Sequence, residues 1–536
     1  MVSIKNRKII LVQPPIRDFY FTSKRSIPYG LLSIAASLRK SGFDVSLIDG
    51  LATSRSRKIS VPEEMNYLAE FYGREDISPL ALFNGYKHFG YGFENIAKRA
   101  AETGAFLVGI SSLFTAYSEV ALQTAKSIKS VMPDAYIVMG GHHATAIPEH
   151  LLENSYVDFV ITGEGEHALP MLSNALLSGS PLTDIPGLVY KDDNKRIIKN
   201  ERAIVHDLSE IPIPALDLMD HGFYSRKDGG SAVITSSRGC PLKCSYCCVG
   251  SANIRWRKRN PEQIIEEIKT AVEIYGARFI DFEDENLSLD KVWFNEILDA
   301  VIDEFPGLEL RAMNGLFPPS LYPELMMKMR MAGFRTLNLS VGSTSREQLE
   351  KFGRPDIMDC LDEVLENAGK AGLECVCYVI AGGPGQSLES SVDDLVYFSS
   401  RNALVGVSVY YPAPGSRDYA LLSGSGQLPG SFSLMRSSAM PLSKPEDRIK
   451  TATVMRLGRI LNFMKSLDKM SIQSLRPEKL AMGTIHFEDR VSAGISLINS
   501  FLYDFKIRGI EKNGYVYEHS SCEELCKRFA YKLDFL

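Results

Sequence analysis

Ser237-Arg238-Gly239-Cys240-Pro241-Leu242-Lys243-Cys244-Ser245-Tyr246-Cys247 carries three cysteines at the spacing C-x3-C-x2-C, with an aromatic ring, Tyr246, directly before the third. Three thiolates on one short loop can turn toward one metal centre. On a four-iron cluster they leave one iron without a protein ligand. An open metal position is where chemistry takes place, whereas a closed four-ligand site is usually structural. Two other uses of the loop compete. In a zinc knuckle Cys248 would be the fourth ligand, but Cys247 and Cys248 are neighbours, which tetrahedral sites rarely use in that way. A disulfide is disfavoured in a chain without a secretion signal.

The chain around this loop has 536 residues, enough for two or three domains. With 45% hydrophobic and 23% charged residues its composition is globular. A net charge of −5 without a long block of one sign argues against nucleic acid or an anionic membrane as the main partner. The basic run Arg255-Trp256-Arg257-Lys258-Arg259 is isolated and reads as a surface turn before a helix, lending positive charge near the cysteine loop. No run approaches the ~18 apolar residues of a membrane span. The apolar run Ile9–Val12 is too short for a signal-peptide core. Nine cysteines, three of them at a metal-type spacing, point to a reducing compartment, so a cytoplasmic location is expected.

Upstream of the loop, short apolar runs alternate with helical periodicity. Strands are expected at Ile9–Val12, Val45–Asp49, Phe106–Ser112, Ala135–Met139 and Val157–Ile161. Helices are expected at Pro28–Lys40, stopping on Gly42, at Glu119–Val131, and after Glu166. Residues 51–91 are irregular and carry no assignment. The alternation is that of a doubly wound parallel sheet, in which ligands lie beyond the strand C-termini. The turns Gly140-Gly141 and Gly163-Glu164-Gly165-Glu166 stand there, where glycine lets the backbone approach a large flat ligand. Residues 187–200 read as a hairpin around Lys191-Asp192-Asp193-Asn194. Residues 208–220, punctuated by Pro212 and Pro214, read as a strap between domains.

Downstream, a second β/α series opens at Ala232–Ser236. Its further strands are Arg278–Phe282, Leu308–Met313, Thr336–Val341, Leu373–Ile380 and Leu404–Tyr411. Helices fill the gaps at Glu262–Tyr275, with Asn260 as cap and Pro261 at the first position, and at Leu289–Glu304, Ser320–Met331, Arg346–Phe352, Asp356–Ala371 and Ser387–Ser399. Six such units make a partial parallel barrel, whose functional groups gather at the strand C-termini. After the cysteine loop those ends carry Phe282-Glu283-Asp284-Glu285-Asn286-Leu287, then Ser340-Val341-Gly342-Ser343-Thr344-Ser345 with Gly353-Arg354-Pro355. The last two carry Gly382-Gly383-Pro384-Gly385-Gln386 and Pro412-Ala413-Pro414-Gly415-Ser416. Residues 430–536 contain helical stretches at Lys450–Ser466 and Arg490–Phe501 and no legible motif. Cys375 and Cys377 share a strand face, Cys522 and Cys526 lie one helical turn apart, and both pairs read as core. Tyr410, Tyr411, Tyr515 and Tyr517 read as aromatic core or pocket lining.

On these motifs the chain resembles the cobalamin-dependent radical S-adenosylmethionine (SAM) enzymes. The cysteine loop is similar to the cluster motif of that family. Pro14-Pro15, Tyr29-Gly30-Leu31-Leu32, Gly109-Ile110-Ser111, Gly140-Gly141-His142-His143-Ala144-Thr145, and Val157-Asp158-Phe159-Val160 with Gly163-Glu164-Gly165-Glu166 are similar, in that order, to its cobalamin-binding domain. The resemblance implies an α/β fold. A Rossmann-like doubly wound cobalamin-binding domain (residues 1–180) precedes a linker and hairpin (181–230). A partial (β/α)6 radical SAM barrel (231–429) and a mostly helical C-terminal region that shapes the substrate pocket (430–536) follow.

It also implies three cofactors. A 4Fe-4S cluster would be held by Cys240, Cys244 and Cys247, beside Tyr246, with SAM chelated to the open iron. Cobalamin would lie on the sheet edge with its nucleotide tail near Gly140 and Gly141 and further contacts at Ser111, Gly163 and Glu164. Asp284 or Glu285 would hold the SAM ammonium by charge-assisted hydrogen bonds. The ribose segment often reads Glu-Ser in the family and reads Gly342-Ser343 here, leaving Ser343, Ser340 or Asn338 for the ribose. Arg354 would face the SAM carboxylate or anchor its loop, and Gly382 and Gly383 would flank the adenine. No histidine has an aspartate two residues before it, as the D-x-H-x-x-G cobalt-ligand motif requires. Cobalamin without histidine below the cobalt is therefore expected, with neither His142 nor His143 as ligand.

The activity implied is methyl transfer to an unactivated carbon. One SAM would methylate reduced cobalamin, a second would yield a 5′-deoxyadenosyl radical at the cluster, and the substrate radical would take the methyl from methylcobalamin. The protein positions the cofactors and excludes water. A non-methylating radical cyclisation or rearrangement on the same scaffold is the alternative, and a non-catalytic cobalamin or iron–sulfur carrier is a third. The expected partners are a small-molecule, lipid or peptide substrate and an external electron donor of flavodoxin or ferredoxin type, with no nucleic acid and no membrane span.

Overall fold

Five apolar runs form the parallel strands β1 (Lys8–Gln13), β2 (Asp44–Asp49), β3 (Leu107–Ser111), β4 (Tyr136–Gly140) and β5 (Phe159–Ile161) of the N-terminal sheet. The computed structural model describes residues 6–22, 26–83, 85–226, 229–251 and 254–533. The strands are apolar throughout because helices bury both faces. Helices α1 (Tyr29–Lys40) and α5 (Gly165–Ser178) cover Ile9, Leu11, Leu107 and Val138. Helices α2 (Phe93–Thr103) and α3 (Ser118–Val131) cover Ile10, Val12, Val108, Ile110 and Met139 on the other face. The short helix α4 (His142–Ala146) follows β4.

Helix α2 had no sequence assignment. The irregular stretch before it contributes Ser56–Lys58 and Lys87–Phe89, and Lys87–Phe89 pairs antiparallel with both Ser56–Lys58 and Ile16–Asp18. The expected hairpin forms as β6 (Leu188–Lys191) and β7 (Ile197–Lys199). It was grouped with the linker, but β6 pairs antiparallel with β5, giving the sheet order β7-β6-β5-β4-β3-β1-β2. Leu188 and Val189 bury fully there, which is the gain that draws the hairpin onto the sheet.

The second series begins with β8 (Gly229–Ile234), followed by a two-strand ribbon, β9 (Ser237–Arg238) and β10 (Arg257–Lys258). Helix α6 (Pro261–Lys269), strand β11 (Ala277–Phe282), helix α7 (Lys291–Glu304), strand β12 (Glu309–Arg311) and helix α8 (Pro323–Ala332) complete the first half. Strand β13 (Thr336–Gly342), helices α9 (Arg346–Lys351) and α10 (Met358–Lys370), strand β14 (Glu374–Ala381), helix α11 (Leu388–Tyr397), strand β15 (Leu404–Val409) and helix α12 (Arg417–Gly424) make the second. The six main strands are parallel within two groups, β8-β11-β12 and β13-β14-β15. The groups meet through the parallel bridges Leu310 to Phe334 and Leu316 to Leu339.

Asn260 sits at the start of α6 without a capping bond from its side chain, and Pro261 alone opens that helix. Asp290 caps α7 by accepting from the Trp293 amide, which places the helix start beyond the expected Leu289.

Helix α13 (Arg448–Ser466) packs on β15 and α11 and closes the open side of the barrel. The Asn462 side chain donates to Val405 O at 2.7 Å and accepts from Val405 N at 2.9 Å, so an amide completes the edge of β15. Helices α14 (Arg490–Asp504) and α15 (Glu523–Tyr531) follow. Between them Arg508–Ile510, Tyr515–Glu518 and the earlier Gly483–Thr484 form a three-stranded antiparallel sheet, which the mostly helical expectation had not included. These strands are too short to register as a period, and Val516 alone is fully buried among them. No helix among the described residues is long and apolar enough to cross a membrane.

Phe294 of α7 is fully buried and meets Phe334 edge-on at 6.5 Å, between the outer helices and the barrel. Phe294→Ala should lower the free energy of unfolding by about 3–5 kcal/mol in chemical denaturation.

Candidate active site

The cysteine loop leaves the end of β8, and three neighbouring segments hold it. Asp284, at the end of β11, accepts from Ser236 N at 3.2 Å, Ser236 Oγ at 2.8 Å, Ser237 Oγ at 2.6 Å and also from Ser237 N. Burial pushes its carboxyl up to about 6, against the pull of these serine donors. Asp284 is therefore spent on the scaffold and not free for the SAM ammonium. Glu285 accepts from Gly239 N at 3.1 Å through one oxygen. Gly239 has φ +91°, and a Cβ there would stand 2.9 Å from Arg255 O, so only glycine fits before Cys240. Ser245 donates its amide to Phe352 O at 2.7 Å and its hydroxyl to Asp418 at 3.0 Å, at the ends of α9 and the start of α12.

Around the thiols, Asn286 Nδ2 lies 3.7 Å from Cys240 Sγ, and its Oδ1 is buried without a partner. Arg354 is buried. Its guanidinium donates to Tyr246 OH at 3.1 Å and Ser340 Oγ at 3.0 Å, and stands 3.8 Å from Cys244 Sγ. These contacts tie Arg354 to the cysteine loop and to the end of β13. Among the described residues no three His, Cys, Asp or Glu side chains converge as they would on a single ion, as a zinc knuckle requires. A cubane presents separate irons to separate thiolates, and three thiols on one loop with N–H groups beside two of them fit such a cluster.

The remaining barrel ends divide between scaffold and cleft. Ser343, expected at the ribose, is fully buried and donates to Asp394 of α11 at 3.1 Å. Asp394 also accepts from Thr344 N at 2.7 Å and Gln386 Nε2 at 3.3 Å, while Gln386 Oε1 accepts from Gly383 N at 3.0 Å. One carboxylate thus ties the β13 loop to the glycine turn after β14. Gly382 has φ +73°, and a Cβ at Gly383 would stand 2.5 Å from the Phe352 ring. Asn338 Nδ2 is buried without a partner, and its Oδ1 accepts from Tyr378 OH at 3.2 Å.

Glu283 was passed over in the sequence. Its side chain is exposed, yet the surrounding protein, with the Asp281 carboxylate second, pushes its carboxyl up to about 7. Tyr411 lines the cleft beside Cys248, Tyr20 and Cys247, whereas Tyr410 and Tyr517 are core and Tyr515 faces outward.

On the N-terminal sheet, Gly141 has φ +118°, and a Cβ there would stand 2.7 Å from Ser112 O, so the loops after β3 and β4 touch. Ser111 pairs with Gly140 at the end of that ladder. Next to it the Ser112 hydroxyl is buried without a partner, and Leu113 and Phe114 stay 41% and 55% exposed. An open apolar floor with an unused hydroxyl fits a large, mostly apolar ring carrying polar arms. Gly163, with φ +92°, donates its amide to Thr145 Oγ1 at 2.9 Å. His143 is buried in a chain from Thr115 Oγ1 at 3.1 Å through His150 at 3.0 Å to Glu119, so it is unavailable to a metal. His142 opens to the cleft between Glu285 and Arg202.

Glu164 does not face the expected ligand. It grips Arg257 with both oxygens at 2.8 and 2.9 Å and stands 3.4 Å from Arg238. Arg238 in turn meets Glu166 at 2.6 Å, and Ser33 Oγ donates to the same carboxylate at 2.9 Å. Burial alone would raise the Glu166 carboxyl, but Arg238 and Ser33 outweigh it and hold the group below its ordinary value. Arg259 pairs with Glu267 at 2.6 Å and reaches Tyr29 OH at 3.3 Å. The basic run from Arg255 to Arg259 is therefore no surface turn. Two of its arginines are buried in ion pairs at the domain boundary, and Trp256 packs edge-on against Trp293.

Comparison with known proteins agrees with this division. The B12 binding domain family matches residues 24–173 and the Radical SAM superfamily matches residues 234–396. An uncharacterized methyltransferase of Pyrococcus horikoshii is 28% identical over 431 residues, covering 78% of this chain and 84% of that protein. The anaerobic magnesium-protoporphyrin IX monomethyl ester cyclase of Synechocystis sp. is 27% identical over 280 residues, 52% of this chain and 49% of that protein. The structure of the radical SAM methyltransferase TsrM from Kitasatospora setae, with cobalamin and a 4Fe-4S cluster bound, aligns with a TM-score of 0.59 and 18% identity. It covers 78% of this chain and 75% of that one and shares the fold.

Burial, with the neighbouring His150 second, pushes the His143 imidazole down to about 4 from 6.5. A base depressed on folding contributes stability that is complete above its unfolded value and lost as the pH falls through the folded one. Unfolding free energy measured in urea should drop by about 2 kcal/mol from this group between pH 7 and pH 5, and His143→Gln should flatten that slope. Asp284→Asn should cost about 2–4 kcal/mol, having lost charge-assisted bonds to Ser236 and Ser237, and should bind less iron per chain on reconstitution.

Proposed function

The chain belongs to the cobalamin-dependent radical SAM enzymes, and on that premise we propose that it places a methyl group on an unactivated carbon of its substrate. One observation carries the reading. The Pro412-to-Ser416 loop is the meeting point of the two halves: a Cβ at Gly415 would stand 3.6 Å from Cys248 Cβ and 3.8 Å from Ala146 Cβ. The cysteine loop and the glycine turns of the N-terminal sheet thus open on one cleft. When bound, the cluster with SAM supplies a radical able to take a hydrogen atom, and cobalamin supplies the methyl group.

The residues of the chain do the rest. Glu283 and the free oxygen of Glu285 accept from the SAM ammonium, in place of Asp284. Asn338, with its unused amide, and Ser340 face the ribose in place of Ser343. The turn at Gly382 and Gly383 receives the adenine edge. Ser112, Leu113, Phe114 and Gly141 would seat the corrin. Tyr20 and Tyr411 wall the substrate space between the two halves and keep water from it.

The relative named as a ring cyclase supports a second reading, radical cyclisation on the same site, although its match spans about half of either protein. A small-molecule, lipid or peptide substrate, an electron donor of flavodoxin or ferredoxin type and a cytoplasmic location complete the proposal.

The test is anaerobic reconstitution with iron, sulfide and cobalamin, followed by SAM and a strong reductant, with products read by mass spectrometry. Methyl transfer expects both 5′-deoxyadenosine and S-adenosylhomocysteine, the latter only with cobalamin. Deoxyadenosine alone would favour cyclisation. Neither product from a cluster-loaded protein would overturn the proposal.

A further inference from the structure

The ribbon β9–β10 has an electrostatic defect of its own. Its register sets Arg238 directly opposite Arg257. Like charges at opposed positions destabilise an antiparallel pair, and a ribbon of two residues per strand has little else to hold it. Yet this ribbon frames the cysteine loop. Cys240 follows Arg238 by two residues, and Gly239 between them packs against the Arg255 carbonyl on the opposite strand side. If the ribbon opens, the first cysteine loses its place.

Among the described residues no carboxylate of the barrel pairs with either arginine. Both counter-ions come from the turn after β5 and the first turn of α5. Glu164 holds Arg257 with both oxygens, and Glu166 holds Arg238 at 2.6 Å. Arg238, Arg257, Glu164 and Glu166 expose at most 19% of their side chains, so the charges have little solvent to fall back on. A buried charge that loses its partner is far more costly than an exposed one. Arg202, whose stem packs against Gly163, adds a further cation to the same spot.

We propose that Glu164 and Glu166 are positioning residues for the cluster. By neutralising Arg238 and Arg257 they close the ribbon that fixes the cysteine loop, so the cluster site is complete only while the cobalamin-binding domain is docked on the barrel. This rests on the cluster reading of the loop but not on methyl transfer.

The test uses the full chain, reconstituted anaerobically with iron and sulfide and no SAM. The readouts are iron and sulfide per chain, the electron paramagnetic resonance of the reduced cluster, and deuterium uptake over residues 237–258. E164Q/E166Q should retain about fivefold less iron, and exchange over that segment should quicken about tenfold. Adding R257Q removes the opposed cation and should restore more than half of the lost iron, which a merely structural role for the glutamates would not produce.

Should E164Q/E166Q fail to fold, E164Q alone and E164Q/R257Q carry the same comparison. Wild-type iron and protection in the glutamine variants, or no recovery on adding R257Q, would overturn the inference. A wild type that loads iron but cleaves no SAM would defeat the proposed function and leave this inference standing.

Discussion

Arg238 and Arg257 face each other across two residues of ribbon, and the acids that make this tolerable reach over from another domain. Buried ion pairs add little net stability, because desolvation consumes most of the attraction, but leaving one partner alone is expensive. Such a contact therefore specifies more than it stabilises. In the docking of the N-terminal sheet on the barrel, Glu164 and Glu166 reach the ribbon beside the cysteine loop. The cleft between the two sets of strand ends depends on that docking, as does the narrow approach of Gly415 to both Cys248 and Ala146.

A second pattern repeats around the barrel mouth. Asp284 gathers Ser236 and Ser237, Asp394 gathers Ser343, Thr344 and Gln386, and Asp418 gathers Ser245 and Tyr410. Each is a buried carboxylate with at least two donors, and each ties a loop at the barrel mouth to a neighbouring segment. Burying an acid is costly, but the donors offset the cost, and the resulting network rigidifies the loop. Acids that look available for ligands are thus consumed as scaffold. The groups left for ligands are those with unused capacity, Glu283, one oxygen of Glu285 and the amide of Asn338.

Contacts of very long range tie the C-terminal region to the N-terminal half. Arg436 donates to Arg17 O and Ala116 O at 2.7 Å each and pairs with Asp18 at 3.0 Å. Arg456 donates to Phe71 O at 2.9 Å beside His519 and Asp76, which meet at 3.0 Å. With the aromatic group of Phe19, Tyr72, Phe83 and Tyr86, these contacts join the irregular segment after β2 to the C-terminal region. Residues 51–91 carry no period of their own, and outside its helices neither does the C-terminal region. Their order comes from one another, which is why residues 51–91 and 430–536 were the least legible parts of the sequence.

The alternation of apolar runs with helical periods, the glycine turns at strand ends and the spacing of Cys240, Cys244 and Cys247 are local properties, and the sequence by itself determined them. The two β/α series and the hairpin near Lys191 were legible for that reason. What the tertiary structure alone decided was the use of each polar group. Glu164, read as a ligand contact, became a counter-ion to Arg257, 93 residues away. Asp284 and Ser343 turned from cofactor to scaffold, and Arg257 and Arg259 turned from surface to buried pair. A charge or hydroxyl leaves no periodic trace of its partner. Its role is set by which group burial brings within about 3 Å, and that distance exists only once the chain has folded and, for Glu164 and Arg257, once the two domains have docked.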